Sequence, residues 1–330
     1  MRGRPGVSRR TGWQPTASLD VLAARADMLT AAREFFRALN VREVDIPALA
    51  PATVTDPHIA SIRVAAQASR DAPLYLHTSP EFGMKRLLAA GSPDIYQLGK
   101  VYRDDEHGRH HQPEFTLVEW YRRGIDLPAM AAETCALIRT LAAVAGSAPG
   151  VAPTLRYRDA FLQFTGLNPM TASVAELRAC AERLTQSALP DLQDARDDWL
   201  DLLVSHVIAP RLPADALTVL SHYPATQAAL ARIDPADELV AERFEVFWRG
   251  VELANGYREL TDADEQQRRI AADRDQRRRA GLPDVRPDNA LLAALAAGLP
   301  DCCGVAVGFD RVVMLSMGCD RLEDVVSFPV

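Results

Sequence analysis

The sequence is short of lysine, of paired cysteines and of long apolar runs. Lysine occurs only at positions 85 and 100, against 35 arginines, and this imbalance by itself assigns no function. The five cysteines include no C-x-x-C pair, which argues against a disulfide framework and against a cysteine zinc site. No uninterrupted apolar run approaches about 18 residues, so we expect no membrane span. The chain is therefore expected to be a reduced, cytoplasmic protein.

The charge of the chain limits its partners. The formal net charge is −7, and four arginines in the first ten residues leave −11 on the remainder. Such an acidic body argues against nucleic acid wrapped on a broad basic surface. Residues 1–12 are expected to form a basic disordered tail, with an arm for nucleic acid as the alternative. No apolar stretch follows them, as a secretory signal would require.

Apolar periodicity predicts an α+β domain over residues 13–330. Apolar positions spaced by three and four predict a helix over 21–39. Strand hairpins followed by late helices are typical of an antiparallel sheet flanked by helices. A mainly helical insertion is expected over 126–225 of this domain. Further predicted elements are strands at 74–77, 95–103 and 115–121, a hairpin turning at Arg249 and Gly250, and helices at 127–145, 173–185 and 194–209. Three more helices are predicted: one that starts at Thr78 or Ser79 and is closed by Gly91, one that ends at Gly281, and one capped by Asp288.

A charged loop is predicted between the strands 95–103 and 115–121. Its charged and histidine residues are Arg103, Asp104, Asp105, Glu106, His107, Arg109, His110 and His111. A solvated loop and a site for a polyanion both fit this composition, and connections of this length are usually functional or disordered. A zinc site built from the three histidines is a further alternative, although no cysteine lies near them in sequence.

The hairpin at 244–254 places two carboxylates on one face. A two-residue turn sets Phe247 opposite Glu252 and Glu245 opposite Ala254, and side chains alternate with period two. Glu245 and Glu252 are therefore expected to share a half-buried face, which is costly unless a positive charge is present. A magnesium ion bound together with a phosphate substrate would supply that charge. Two surface glutamates are the alternative.

Two further segments contain residues suited to ligand binding. Glu259 follows Asn255 and Tyr257, and this combination of an amide and an aromatic ring suits a buried ammonium group. Arg311 stands in the first turn of a helix predicted after Gly308. Because a helix N-terminus attracts anions, this arginine favours a phosphate ligand.

These segments, in this order, resemble class II aminoacyl-tRNA synthetases. VREVDI with Pro47 is similar to motif 1, usually a dimer element; YRDDE with HQPEFTLVEWY is similar to motif 2, and GVAVGFDR to motif 3. TSPEF and ELANGYREL are similar to the lysyl-tRNA synthetase branch. Motif 1 begins after about 20 residues, which leaves no room for an anticodon-binding domain. In this respect, and in WQPTAS, QLGKVYR and HYPATQAAL, the chain resembles the elongation factor P lysine ligase family.

The resemblance implies an ATP site with Arg103 and Arg311 as catalytic residues. Arg103 would contact the α-phosphate, Arg311 would hold the γ-phosphate from the opposite side, and the loop 104–111 would fold over the nucleotide. Glu245 and Glu252 would bind Mg²⁺, in agreement with the hairpin geometry. The implied ATP-binding residues are Arg103, Asp104, Asp105, Arg109, His111, Gln112, Phe115, Glu252, Leu253, Gly308 and Arg311.

The resemblance also implies a site for the amino acid (R)-β-lysine. Ser79 and Glu81 would hold one amino group, and Tyr121 and Glu259 the side-chain ammonium. The implied set is Ser79, Pro80, Glu81, Tyr121, Asn255, Tyr257, Glu259 and Ala306. Ala306 stands where lysyl-tRNA synthetases have glycine, and we hypothesise that its methyl group reshapes the pocket floor. One methyl group discriminates between substrates by roughly 1–3 kcal/mol.

The reaction implied by the resemblance consumes ATP. The β-lysine carboxylate would attack the α-phosphorus, and a lysine side chain of elongation factor P would then accept the activated acyl group. Elongation factor P is therefore the expected partner and tRNA is not, and motif 1 implies a homodimer by analogy. A truncated synthetase that charges tRNA and a non-catalytic paralogue are the alternatives.

Overall fold

Ten strands form the main sheet of the part of the chain that the structure describes. The computed structural model describes residues 12–65, 73–104, 106–185, 189–190, 192 and 195–330. The strands are β1 Arg42–Glu43, β2 Leu49–Ala50, β3 Arg63–Val64, β4 Leu74–Leu76, β5 Ile95–Tyr102, β6 Glu114–Arg123, β7 Gly150–Val151, β8 Leu155–Arg156, β9 Ala216–Pro224, β10 Ile233–Asp234, β11 Asp237–Trp248, β12 Val251–Arg258 and β13 Cys302–Gly308. The helices are α1 Leu19–Ala38, α2 Glu81–Ala89, α3 Leu127–Val144, α4 Tyr157–Thr165, α5 Val174–Leu184, α6 Arg196–Leu203, α7 Ala263–Arg279, α8 Asn289–Gly298 and α9 Phe309–Ser316.

The main sheet follows the strand order β1-β5-β6-β13-β12-β11-β9-β7, with β10 beside β11 and β8 beside β9. Its central pairs, from β5 to β9 along this order, are all antiparallel. Parallel pairing is found where β1 meets β5 and where β7 and β8 meet β9. The strands β2, β4 and β3 form a separate small sheet. The predicted antiparallel sheet flanked by helices is therefore confirmed.

The middle section contains more than the predicted helices. The helix α4 was not predicted, because it is one short segment of nine residues whose N-cap Arg156 makes no side-chain cap bond. The strand β9 also lies within 126–225, and its apolar run is buried beside β11 in the main sheet. The described part of this section thus contributes a strand to the central sheet, and its status as an insertion stays a prediction.

The helix α3 is longer and more apolar than a search for uninterrupted apolar runs indicates. Its 18 residues have a mean hydropathy of 1.4, so by length and composition alone it could cross a membrane. Nine of its side chains are buried, and eight of these pack in the main core together with residues of the central strands. Glu133 and Arg139 interrupt the apolar run. A search for uninterrupted apolar stretches therefore does not detect the high mean hydropathy of this segment. Its packing is that of a core helix in a folded domain.

Aromatic rings join α1 to the edge of the main sheet. Phe36 is fully buried; its ring stacks on Tyr96 with centroids 4.2 Å apart and meets Trp120 edge-on at 5.3 Å. Such pairs add to the stabilisation that comes from burying the rings. The position of α1 on the sheet therefore depends strongly on this one side chain.

We predict that Phe36→Ala lowers the free energy of unfolding by about 3–5 kcal/mol, because it removes a buried ring and leaves a cavity. Urea unfolding followed by circular dichroism measures the change. Phe328→Ala is the matched control, since Phe328 is 68% exposed and its loss should cost less than about 0.5 kcal/mol. Equal stability losses in the two variants would contradict the packing described above.

Candidate active site

A cleft of about 1140 Å³ lies against the strands β6, β13, β12 and β11. Most of the predicted site residues line this cleft, although they belong to segments that are far apart in sequence. The predicted residues that line it are Ser79, Pro80, Glu81, Arg103, His111, Gln112, Phe115, Tyr121, Glu245, Glu252, Leu253, Asn255, Tyr257, Glu259, Ala306, Gly308 and Arg311.

Two predicted ATP ligands lie away from the cleft. Asp104 is exposed, and its backbone N–H donates to the Ala60 carbonyl at 2.8 Å. The Arg109 guanidinium donates from Nε to the Asp320 carbonyl at 2.7 Å and lies 3.2 Å from an oxygen of the Asp320 carboxylate. The loop folds back onto the C-terminal segment, so His111 rather than Arg109 faces the cleft. Asp105 lies outside the described residues.

A β-bulge changes the predicted register of the hairpin. Phe247 pairs with Glu252 as predicted, but Glu245 pairs with Asn255 and not with Ala254. The extra residue is Leu253, which has no partner between the pairs Phe247–Glu252 and Val246–Ala254. Because a bulge reverses the alternation of side chains, Asn255 joins the cleft face and Ala254 turns to the core. Glu245 and Glu252 still share one face.

The two hairpin carboxylates fit a magnesium site that also uses substrate phosphates. Partial burial and the charge of Glu245 raise the pKa of Glu252 to about 7. The Glu245 carboxylate accepts a 2.6 Å bond from Arg243, which leaves further oxygen atoms of the pair for a cation. Mg²⁺ is commonly held by one or two carboxylates plus phosphate oxygens. Within the described ranges no three His, Cys, Asp or Glu side chains group as metal ligands, so the three loop histidines do not assemble a zinc site.

The two predicted catalytic arginines enter the cleft with fixed orientations. The Arg103 guanidinium lies 5.1 Å from the centroid of the Phe115 ring and 3.1 Å from the Glu106 carboxylate. Arg311 donates to the Glu252 carbonyl at 2.9 Å and lies 2.8 Å from Nε2 of His111. Since an arginine can only donate, this His111 nitrogen accepts and the ring is neutral. Burial first, and then the charge of Arg311, lower the pKa of His111, in agreement with that assignment.

The helix that carries Arg311 is anchored through the residue before it. Asp310 accepts a 2.9 Å bond from the Thr116 backbone N–H and forms a 2.6 Å ion pair with Arg25 of α1. Arg25 also donates to the Thr116 hydroxyl at 2.8 Å. These bonds join α1, β6 and the first turn of α9, so they fix the point from which the Arg311 side chain extends.

Behind the wall at the opposite end of the cleft, a buried lysine lies between two carboxylates. The Lys85 ammonium lies 2.6 Å from Glu81 and 2.6 Å from Glu259, and the Lys85 side chain is only 2% exposed. Burial lowers the pKa of Lys85, but the two carboxylates outweigh it and raise the pKa well above its usual range. Lys85 is therefore a permanent cation that holds Glu81 and Glu259 together.

A third carboxylate, Glu119, lies beside this pair. It is 3% exposed, and it accepts bonds from the Ser79 hydroxyl at 2.7 Å and the Tyr121 hydroxyl at 2.8 Å. Burial, followed by the charge of Glu81, raises the pKa of Glu119 to about 8. The Ser79 hydroxyl also accepts from the Glu81 N–H at 2.9 Å, which fixes the start of α2.

Small residues of β13 form the floor between these groups. Ala306 pairs with Glu119 on one side and Asn255 on the other, while Gly304 pairs with Tyr121 and Tyr257. A Cβ atom on Gly304 would clash with Glu259 and with the Tyr121 ring. Glycine is thus required at 304 for the carboxylate and the ring to approach the strand. Ala306 lies between two cleft residues in the sheet, and its effect on the pocket floor stays a prediction.

The charges at this end match a ligand with two ammonium groups. Glu81, Glu119 and Glu259 carry three negative charges when ionised, and Lys85 supplies one positive charge. Burial raises the pKa of Glu119 to about 8 and that of Glu259 to about 7, so full ionisation of the three carboxylates, with its excess of two negative charges, is favoured only when cations bind there. A diamino acid would neutralise them, and its carboxylate would then extend toward the arginines.

Comparisons with known proteins identify the family of this chain. The family model for class II tRNA synthetases (D, K and N) matches residues 12–330. The chain belongs to this family. Relatives from Proteus mirabilis and Yersinia pestis, both named elongation factor P–(R)-β-lysine ligase, are each 44% identical over 327 residues. The matches cover 98% of this chain and 99% of each relative.

Three residues in or near the cleft escaped the sequence prediction. Glu119 alternates with Tyr121 along β6, so the period of two could have assigned it to the same face. Lys85 stands four residues after Glu81 on α2, which is the spacing of a helical ion pair. Arg243 precedes Glu245 by two residues on β11, and the same alternation places both on one face.

Replacing Lys85 should impair recognition of the amino acid. We predict that Lys85→Met lowers kcat/KM for a diamino acid by about 100-fold or more, since it leaves buried carboxylates unpaired, while KM for ATP changes little. Amino-acid-dependent exchange of pyrophosphate into ATP measures this. Lys100→Met removes the other lysine of the chain, whose ion pair with Glu114 is 43% exposed, and should behave as wild type. Wild-type kinetics in a folded Lys85→Met protein would contradict the assigned role.

The raised pKa of Glu119 gives a second prediction. A protonated Glu119 cannot attract an ammonium group, so KM for a diamino acid should fall as pH rises from about 6.5 to 8.5, by at most tenfold per unit. The carboxyl is neutral below about 8 and negative above it, which sets the sign. Glu119→Gln should flatten this profile. A profile identical in wild type and Glu119→Gln would exclude Glu119 as the titrating group.

Proposed function

We propose that this protein is an ATP-dependent ligase that adenylates (R)-β-lysine and transfers it to a lysine side chain of elongation factor P. The observation that carries the proposal is the cleft end with three carboxylates and one buried lysine, because its charge suits a diamino acid. The names of the relatives, which match nearly the whole chain, support the choice of β-lysine and of elongation factor P.

In the first step the β-lysine carboxylate attacks the α-phosphorus of ATP. A bond forms between a carboxylate oxygen and phosphorus, and the bond to the pyrophosphate group breaks. Negative charge concentrates at the α-phosphorus during this step, so preorganised cations stabilise the transition state. Arg103 and Arg311 are the cleft residues for that role, because each is already held by the contacts described above.

Glu245 and Glu252 would hold Mg²⁺ in this reaction. When bound, the ion neutralises charge on the phosphate oxygens of ATP. The residues present fit the ion, since two oxygen ligands share the cleft face and phosphates supply the remainder. His111, Gln112, Phe115, Leu253 and Gly308 line the same end and would contact the nucleotide.

At the amino acid end the three carboxylates would bind the two ammonium groups. Ser79, Pro80 and Tyr121 shape this end, and Asn255 and Tyr257 close its side. The Ala306 methyl group would contact the amino-bearing carbon, because Ala306 lies between Glu119 and Asn255 on the floor. Such a contact would give Ala306 a role in choosing the position of the amino group.

In the second step a lysine amine of elongation factor P attacks the carbonyl carbon of the adenylate. The carbon–nitrogen bond forms, the bond to the AMP oxygen breaks, AMP leaves with the electron pair, and the nitrogen loses its extra proton. Holding the amine close to the carbonyl supplies most of the acceleration for such a reaction. The protein would act in the cytoplasm as a homodimer, by analogy with the class II synthetases that its motif 1 segment resembles.

A two-acceptor assay tests this function. Purified protein is incubated with ATP, Mg²⁺ and labelled β-lysine or α-lysine, with elongation factor P and bulk tRNA offered together. We expect label on elongation factor P, more from β-lysine, and a loss of both half-reactions in Arg311→Ala, which removes a charge that stabilises the transition state. Label on tRNA would favour a tRNA-charging synthetase instead, and absence of amino-acid-dependent pyrophosphate exchange would favour a non-catalytic paralogue.

A further inference from the structure

Arg243 lies on the cleft face of β11, next to residues proposed for the metal and for the amino acid. It pairs with Tyr257 across the hairpin, and Glu245 pairs with Asn255 two positions further on. Residues that stand opposite each other in an antiparallel pair share a face, and all four of these residues line the cleft. The Arg243 side chain is 17% exposed, and its guanidinium is always charged.

Three hydrogen bonds hold the Arg243 guanidinium in place. Its Nη1 donates to the Gln227 carbonyl at 2.6 Å, its Nη2 to the Glu245 carboxylate at 2.6 Å, and its Nε to Oδ1 of Asn255 at 3.2 Å. The centre of the guanidinium also lies 4.5 Å from the centroid of the buried Tyr223 ring. Because the group is planar and each of its nitrogen atoms is bonded, it cannot rotate without breaking several of these contacts.

The bond from Arg243 fixes the direction in which the Asn255 amide points. An arginine has no acceptor, so the atom that faces it must be the amide oxygen. The amide nitrogen of Asn255 therefore faces away from Arg243, and it donates to the Tyr257 hydroxyl at 2.9 Å. That bond uses one of its two N–H groups, which leaves the other for a ligand in the cleft that Asn255 lines. Arg243 thus makes Asn255 a donor toward the cleft.

A diamino acid offers only one kind of acceptor to this donor. Both of its ammonium groups can only donate, so its carboxylate is the acceptor that remains. Along the chain Asn255 stands between Glu252, proposed for the metal, and Glu259 of the amino acid end. A carboxylate bound to the Asn255 amide would therefore lie between the ammonium sites and the phosphate end of the cleft.

We propose that Arg243 is a positioning residue for the substrate carboxylate, because it fixes the Asn255 amide with its nitrogen toward the cleft. The inference rests on the proposed function and names a residue that orients the nucleophile of its first step. The nitrogen atoms of Arg243 are all bonded to protein groups, so it acts through Asn255. Correct orientation of the reacting atoms supplies a large part of the acceleration in such a step.

A double-mutant cycle tests whether Arg243 acts through Asn255. Arg243→Lys keeps the charge beside Glu245 but loses the planar fork that bonds three groups at once, and Asn255→Ala removes the amide. We expect each change to lower kcat/KM for β-lysine in pyrophosphate exchange about tenfold, and the double variant to fall no more than about threefold below Asn255→Ala. Arg232→Lys is the matched control and should behave as wild type, since the ion pair of Arg232 with Glu242 lies outside the cleft.

A diamine gives a readout that a loss of folding would not reproduce. The diamine that corresponds to β-lysine without its carboxylate has both ammonium groups and no acceptor. It should inhibit the exchange equally well in wild type and in Arg243→Lys, because the sites for the ammonium groups are unchanged. Weaker inhibition of the variant, in proportion to its loss of activity with β-lysine, would place the effect of Arg243 at the ammonium end and overturn the proposal.

Asn255→Asp tests the same contact with Arg243 left in place. The new carboxylate accepts from Arg243 but offers no N–H to the substrate and repels its carboxylate. Its kcat/KM for β-lysine should fall at least as far as that of Asn255→Ala. Wild-type kinetics in Asn255→Asp would contradict the proposed donor.

The outcomes separate this inference from the proposed function. Additive losses in the cycle, or wild-type kinetics in Arg243→Lys, overturn the positioning role, while normal exchange by the wild-type protein leaves the proposed function standing. A wild-type protein that shows no exchange dependent on β-lysine refutes the proposed function, and the positioning role with it.

Discussion

Burial of the Lys85 ammonium between Glu81 and Glu259 is the interaction on which the amino acid end of the cleft depends. Two carboxylates and an ammonium group removed from water are stable only when they meet in good geometry. That geometry needs α2 to begin at Glu81, where the Ser79 hydroxyl accepts the first backbone N–H. It also needs a glycine at 304, since any side chain there would displace Glu259. The start of α2, the floor formed by β13 and the buried ion pair therefore depend on one another.

The cleft carries opposite charge at its two ends. Arg103 and Arg311 lie at the end that we propose for the phosphates, and the three carboxylates lie at the other. A diamino acid is itself a dipole, with ammonium groups on one side and a carboxylate on the other. It can satisfy both ends in one orientation only, the orientation that brings its carboxylate toward the α-phosphorus. Charge separation along the cleft thus orients the substrate before any chemistry occurs.

Much of this arrangement could be predicted from the sequence, and the failures have physical reasons. The helix α1, the pair β5–β6 and the hairpin β11–β12 follow from apolar periodicity and turn residues. The bulge at Leu253 does not, because a strict period of two assigns Ala254 to the wrong face. Arg109 was misplaced because its partner, Asp320, lies 211 positions away. The sequence spacing of Lys85 and Glu119 predicts the face on which each lies. Their roles depend on contacts with Glu259 and Ser79, which are distant in sequence and which spacing alone does not predict.

The protonation state of Lys85 determines whether this side chain can be acylated by the enzyme's own product. An acyl adenylate reacts with any neutral lysine amine within reach, including those of the protein that makes it. The chain has only two lysines, and neither lines the cleft. Lys85 lies behind the pocket wall and is held as an ammonium ion. Its nitrogen therefore has no free lone pair with which to attack a carbonyl group. The buried ion pair therefore also protects the enzyme from acylating itself, while the acceptor lysine, once deprotonated, stays reactive.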